Sequence, residues 1–255
     1  HSRPMDSGKG RVFAAGHRWD RNFHLLMIAL AWVGIVMGFG GSIAHHISQH
    51  RPPYPVIVHF HAVVFVSWLV LFTVQIFLIR CHKLAVHRRL GMAMAGIAAV
   101  MIVLGPATAL TVQHARMNDP HADPAFLSIQ LTDLLAFAGL ITAGMLLRRL
   151  PSAHKRLMLL GTLYITDAGF ARWLADGVIH LLGEGPVAFW TALYLAPNIL
   201  FLLVCAYDLV TRRRLHPACL FGIIWILANQ ITAVFLYGTP PWTTCAKKII
   251  ALWPW

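Results

Sequence analysis

The sequence predicts an all-α, polytopic membrane helical bundle of about seven transmembrane helices, and three observations carry that prediction. Hydrophobic residues make up 58% of the 255 residues and charged residues only 12%, too little charge for the surface of a soluble domain of this length. Apolar stretches long enough to cross a bilayer recur along the whole chain, so this is not one domain plus an anchor. The Lys and Arg residues gather in alternate loops, the pattern that marks the cytoplasmic side.

The predicted spans are 22–45, 56–80, 89–114, 126–149, 155–181, 187–211 and 217–237. Chain breakers separate several of them: Arg51-Pro52-Pro53, Asp119-Pro120, Pro151, Gly183 to Pro186, and Pro240-Pro241. Residues 1–21 are expected to be a cytoplasmic segment, and the first four, before Met5, resemble a cloning remnant. Residues 22–240 form the bundle. Residues 241–255 form an extracytoplasmic tail whose Trp242, Trp253 and Trp255 suit a membrane interface, since the indole ring is apolar and its N–H is not. No cleavable signal peptide is expected, because the first apolar run follows a basic segment and has no small-residue cleavage site after it.

Orientation follows from the cations. Lys9, Arg11, Arg18 and Arg21 precede the first span; Arg80, Lys83, Arg88 and Arg89 lie between spans two and three. Arg148, Arg149, Lys155 and Arg156 lie between spans four and five, and Arg212, Arg213 and Arg214 between six and seven. All fall on one side, which gives an N-in, C-out arrangement. The net charge of +12 is thereby a topology and headgroup signal; no nucleic-acid motif or basic domain accompanies it. Cys81, Cys205, Cys219 and Cys245 include no CxxC pair, and three of them fall near the cytoplasmic side, which disfavours a disulfide framework.

A short pattern recurs: IRCHKLAVHRRLGM (79–92), LRRLPSAHKRLMLL (147–160) and TRRRLHPACLFG (211–222). Each is a helix exit, a basic turn and a histidine opening the next helix: His87, His154 and His216. Three repeated hairpins following one added helix would explain it.

Polar residues inside lipid are costly, face the bundle interior and find partners. One group lies toward the outer face: His45, His46, His50, His59, His61, His114, His121 and His180. Of these, His46, His61, His114 and His180 are the candidate metal ligands, since imidazoles from several helices at one depth suit Zn, Cu or Fe. His61, Trp68 and Gln75 repeat every seven residues on one inward stripe. Arg172, Asp176 and His180 stack at four-residue spacing, with Tyr164 and Ala168 continuing the stripe inward. Arg172 is deep enough to need an anionic partner: Asp133 as a salt bridge, or a propionate or anionic substrate. Asp167 sits near mid-membrane. An inner group comprises His24, His87, His154, His216 and Asp208. Gly91, Ala95, Ala98, Ala99 and Gly105 give helix three a small face for close packing. Pro197-Asn198 suggests a kink in helix six, and Asn229-Gln230 suggest polar contacts within the bundle. There is no Walker A loop, GxSxG, HExxH or HxxHH set, and no mid-helix lysine for a retinal Schiff base.

The run VHFHAVVFVSWLVLFTVQ (58–75), with HRRLG (87–91), AHKRLMLL (153–160), ARW (171–173) and HPA (216–218), resembles a large family of uncharacterised bacterial multi-pass membrane proteins. That resemblance covers roughly 56–240, and implies a bacterial inner-membrane location and no settled activity. It singles out His59, His61, Trp68, Gln75, His87, Asp133, His154, Lys155, Arg156, Arg172 and His216. A weaker similarity is to transmembrane b-type dihaem cytochromes, which implies His61 and His114 as outer and His87 and His154 as inner haem positions. His87 and His154 depart from that pattern by lying at helix starts beside Arg and Lys.

Three functions are thus expected: a redox protein holding haem b through His61, His114, His87 and His154 with Arg172 near a propionate; a haem-free Zn, Cu or Fe enzyme or metal-handling protein; or a non-enzymatic transporter or assembly factor whose Asp133, Asp167 and Arg172 line a path. The expected surroundings are the lipid bilayer and a membrane electron-transfer or assembly partner.

Overall fold

The computed structural model describes Phe13 and residues 16–50 and 52–254. The expectations placed on Lys9, Arg11, Arg51, Trp255 and the first four residues lie outside the described residues. The described residues are 83% helical. Among the described residues there are nine α-helices: α1 Asp20–Ser48, α2 Val56–Arg80, α3 Leu84–Ala115, α4 Leu127–Leu146, α5 Pro151–Tyr164, α6 Asp167–Leu182, α7 Pro186–Arg212, α8 Pro217–Tyr237 and α9 Pro240–Ala251. Proline occupies the first helical position of α5, α7, α8 and α9, where its missing N–H costs nothing and its fixed φ suits the helix. Six helices are long and apolar enough to cross a membrane: α1, α2, α3, α4 with the short 3-10 turn before it, α7 and α8.

The predicted fifth span, 155–181, is not one helix. It is two, α5 of 14 residues and α6 of 16, separated at Ile165-Thr166. At 1.5 Å per residue these reach only about 21 and 24 Å, short of a hydrocarbon core about 30 Å thick. The local cause is polar competition for the backbone. Thr166 Oγ1 donates to the Leu163 carbonyl at 2.6 Å, and Asp167 Oδ1 accepts the Ala168 N–H at 2.6 Å. The tail expectation also gains structure, since α9 folds back over the bundle. Other limits shift slightly. α2 and α8 keep their predicted bounds, and α3 starts five residues early, at Leu84, with Arg88 and Arg89 in its second turn long enough to run along the helix surface toward water.

α5 is the innermost element. Arg156 through Tyr164 are all buried, against α4, α8 and α7. Trp68, Phe137, Leu140, Leu157, Leu160 and Leu163 form a dry layer across the middle. The half-helix α6 lies against α1 and α7. Its contact with α1 is backbone to backbone: a Cβ on Gly38 would fall 1.9 Å from the Gly169 carbonyl oxygen, and one on Gly34 2.5 Å from the Phe170 ring. That Gly34-xxx-Gly38 pair in α1 is the close-approach device of membrane helices.

The bundle has two distinct ends. At the basic end, Arg80 donates to Asn22 (2.8 Å), Lys155 and Arg212 reach Asp20, and the first turns of α3, α5 and α8 meet the last turns of α2, α4 and α7. At the opposite end α9 is tied down by Trp242 Nε1 to the Ala125 carbonyl (2.9 Å), Trp253 Nε1 to Thr111 Oγ1 (3.0 Å) and His114 Nδ1 to the Ile250 carbonyl (2.9 Å).

Candidate functional site

The α5–α6 break creates the least ordinary chemistry in the molecule. It leaves Asp167 at the first position of α6, buried at 5% exposure, inside the bundle. There its carboxyl comes within interaction range of that of Asp133 from α4. Two tyrosines complete the group: Tyr164 OH donates to Asp133 Oδ1 at 2.8 Å and Tyr194 OH to the same oxygen at 3.0 Å. Both tyrosines are fully buried, and their rings lie nearly parallel with centroids 6.3 Å apart. Two carboxyls this close in an apolar setting cannot both ionise at low cost, the situation in which like carboxyls share one proton.

The expected Arg172–Asp133 salt bridge does not form. Arg172 lies five residues beyond Asp167, about 140° around α6. Its NH1 donates to the Ala168 carbonyl (2.7 Å) and its guanidinium sits over the Phe39 ring at 4.5 Å. Asp133 instead takes its hydrogen bonds from the two tyrosines. The helix break is the reason, since it re-aims α6 relative to the continuous helix that the spacing assumed. Asp176 and His180 continue outward on the exposed face of α6.

The outer histidines disperse. His46 Nε2 lies 3.0 Å from the Pro52 carbonyl with its ring on Tyr54, His114 is held by α9, and His180 is exposed in the last turn of α6. His61 is half-buried and stacked on Phe65, with a buried Nδ1 that has no hydrogen-bond partner. Among the described residues, no group of three or more His, Cys, Asp or Glu side chains has the spacing of a metal site. The His61, Trp68 and Gln75 stripe does face inward: Trp68 Nε1 donates to Thr162 Oγ1 (3.3 Å) and Gln75 Nε2 to the His87 carbonyl (3.1 Å).

At the basic end, two of the three repeated histidines meet. The His87 and His154 rings are 6.4 Å apart and nearly perpendicular. His154 Nδ1 donates to the Gly144 carbonyl at 2.8 Å, and His87 Nδ1 is buried without a partner. His216 lies elsewhere, capping α8 through the Ala218 N–H (3.0 Å) with its Nε2 3.2 Å from Ser152 Oγ. Beside it is a compensated charge network. Asp20 accepts from Lys155 (2.7 Å), Tyr207 (2.7 Å) and Arg212 (3.0 Å). Arg156 grips Asp208 in two-point fashion, Cys219 Sγ lies 3.4 Å from the same carboxylate, and His24 bonds the Asp20 carbonyl (2.7 Å). These buried pairs tie α1, α5, α7 and α8 together.

Sequence reasoning missed two features. Tyr194 bore no signal beyond being an aromatic in an apolar run. The Thr166-Asp167 dipeptide did bear one, as residues that compete for backbone hydrogen bonds and favour helix starts. In α7 and α8, Asn198 and Gln230 pair with each other at 3.2 and 3.0 Å, and Asn198 is spent on that pair rather than on backbone freed by Pro197. Comparison with family models, with curated protein sequences and with solved structures finds no match, so the chemistry of these side chains carries the functional argument.

Proposed function

We propose that this chain is a non-enzymatic, multi-pass protein of the bacterial inner membrane that moves protons through the Asp133–Asp167 pair. In this proposal α5 and α6 together make one broken crossing, giving seven crossings with the N-terminus inside. Discontinuous helices with a polar break near the bilayer centre are the usual framework for ion and proton sites in membrane transporters. A buried ionisable group in lipid is a functional signal by default. The observation that supports the proposal most is the pair of buried carboxyls at the break, Asp167 beside Asp133, with Tyr164 and Tyr194 both donating to Asp133. Arg172 and the half-buried His61 stand between that pair and the end opposite the basic loops. The dry layer of Trp68, Phe137 and Leu160 separates it from the Asp20 network, so proton passage would need α6 to shift rather than an open water path.

The test is proton flux into liposomes carrying the purified protein under an imposed potential, read with an internal pH dye. The expected result is a flux that falls to the protein-free level in Asp133→Asn and Asp167→Asn. Wild-type flux no greater than that of empty liposomes overturns the proposal.

A second reading rests on His87 and His154, the pair that the dihaem resemblance implies for an inner haem. A centroid separation of 6.4 Å is close to that of two imidazoles sharing one metal at about 2 Å per bond. The Nδ1–H of His154 is fixed on a backbone carbonyl, as in metal-ligating histidines. These two residues would hold a haem or metal, which would supply one-electron chemistry. A purified protein with neither a Soret band nor bound metal, after growth with both supplied, overturns this reading.

A further inference from the structure

We infer that the groove between α3 and α4 binds one acyl chain of an anionic phospholipid, with Arg148 receiving its phosphate. The groove holds about 220 Å³ and is lined by Ala95, Ala99 and Ile102 from α3, by Thr142 and Leu146 from α4, and by Arg148 two residues beyond α4. At roughly 30 Å³ for a water-sized group, it accepts a chain segment of about seven such groups. The small face of α3 would let two helices touch. Here it leaves a channel instead, apolar along its length and cationic where it reaches the basic end.

The charge at that end is unbalanced. Arg88 and Arg89 lie in the second turn of α3, and Arg148 and Arg149 follow the end of α4. Neither α3 nor the half of α4 after Asp133 carries a carboxylate. Among the described residues, the acids of the basic end, Asp20 and Asp208, are engaged by Lys155, Arg156 and Arg212. Arg148 spends one donor on the Met145 carbonyl (3.2 Å) and is exposed. A phosphodiester beside an acyl chain supplies both missing partners: an oxyanion for the guanidinium and methylenes for the alanine floor. A protein partner would have to bring a carboxylate on an apolar helix, which is costly in lipid.

The test is a titration of the delipidated full chain in detergent with phosphatidylglycerol and, separately, phosphatidylcholine, read by native mass spectrometry. Wild type is expected to retain one phosphatidylglycerol in preference to phosphatidylcholine. Arg148→Gln should weaken phosphatidylglycerol about fivefold while leaving phosphatidylcholine unchanged. Ala99→Leu, which fills the exposed floor, should weaken both lipids. Equal retention of the two lipids by wild type, no effect of Arg148→Gln, or a lipid-free dimer that Ala99→Leu dissociates would each overturn the inference. None of these readouts depends on proton flux.

Discussion

Replacing Gly38 with alanine tests the α1–α6 contact that holds the broken helix in place. The added Cβ would lie 1.9 Å from the Gly169 carbonyl oxygen and 2.6 Å from its carbon, where real Cβ contacts essentially never fall below 3.0 Å. The obstacle is backbone on both sides, so no rotamer change relieves it. The two helices must part by about 1 Å, enough to forfeit a quarter to a half of the dispersion energy across their interface. Overpacking costs about 1–3 kcal/mol, and an obstacle that is backbone on both sides puts this one at the upper end. For a chain of this size that lowers Tm by roughly 6–12 °C. The measurement is thermal unfolding in detergent, with Gly40→Ala as control, since a Cβ at Gly40 meets nothing within 4 Å. Asp167 is two residues from Gly169, so its approach to Asp133 should loosen as well. If Gly38→Ala and Gly40→Ala melt together within 1 °C of wild type, the backbone contact is wrong and so is the argument that it positions α6.

Three further outcomes are expected. Asp208→Asn leaves Arg156 buried and uncompensated, and should cost about 3–5 kcal/mol, read as lost thermal stability and lower yield of folded protein. Tyr164→Phe removes one of the two phenolic hydrogen bonds to Asp133 and should cost about 1 kcal/mol while Tyr194 keeps the other; it should also alter the infrared carboxyl band of the acid pair. Burial and the neighbouring Arg156 push His216, the residue before α8, down to about 4. The folded state thus favours neutral imidazole, and stability should be full above pH 6.5 and fall as the pH drops from there toward 4, with roughly 2 kcal/mol lost by pH 5. His216→Gln should flatten that part of the melting-temperature profile, and an unchanged slope would dismiss His216 as its source.

An apolar bundle with charge at one end also explains why two buried polar systems coexist. The Asp20–Lys155–Arg212 and Arg156–Asp208 pairs are locally balanced, so they act as ties between helices near the headgroups, where removing one partner is harmful. The acid pair has no cation in hydrogen-bond contact and is instead framed by two phenols. It can lose or gain a proton only if the surrounding helices allow a charge to appear there. The half-helix α6 is the element that carries one of the two acids and is joined to α5 only through the break at Ile165-Thr166, so its displacement is the motion to look for.

The sequence by itself determined the six long apolar helices and the gathering of cations, but not the break in the predicted span 155–181. Crossing lipid demands long apolar runs with internally satisfied backbone, and long cationic side chains fall where water is near, so both leave one-dimensional marks. α2 at 56–80 and α8 at 217–237 show this directly. The inward stripe of Trp68 and Gln75 was likewise legible from its period. The tertiary structure alone decided which polar residues meet. Asp133 and Asp167 are 34 positions apart, and Tyr194 is a further 27 along. Only the break at Ile165-Thr166 turns Asp167 toward Asp133 and leaves Arg172 over Phe39. A change of helix direction of that kind depends on a few hydrogen bonds of Thr166 and Asp167, too local to disturb an apolar period. The histidines teach the same lesson in reverse. Placing them at a common depth fixed their height in the bundle, while rotation about each helix axis, set by packing, sent His114 to α9 and His180 outward and brought only His87 and His154 together.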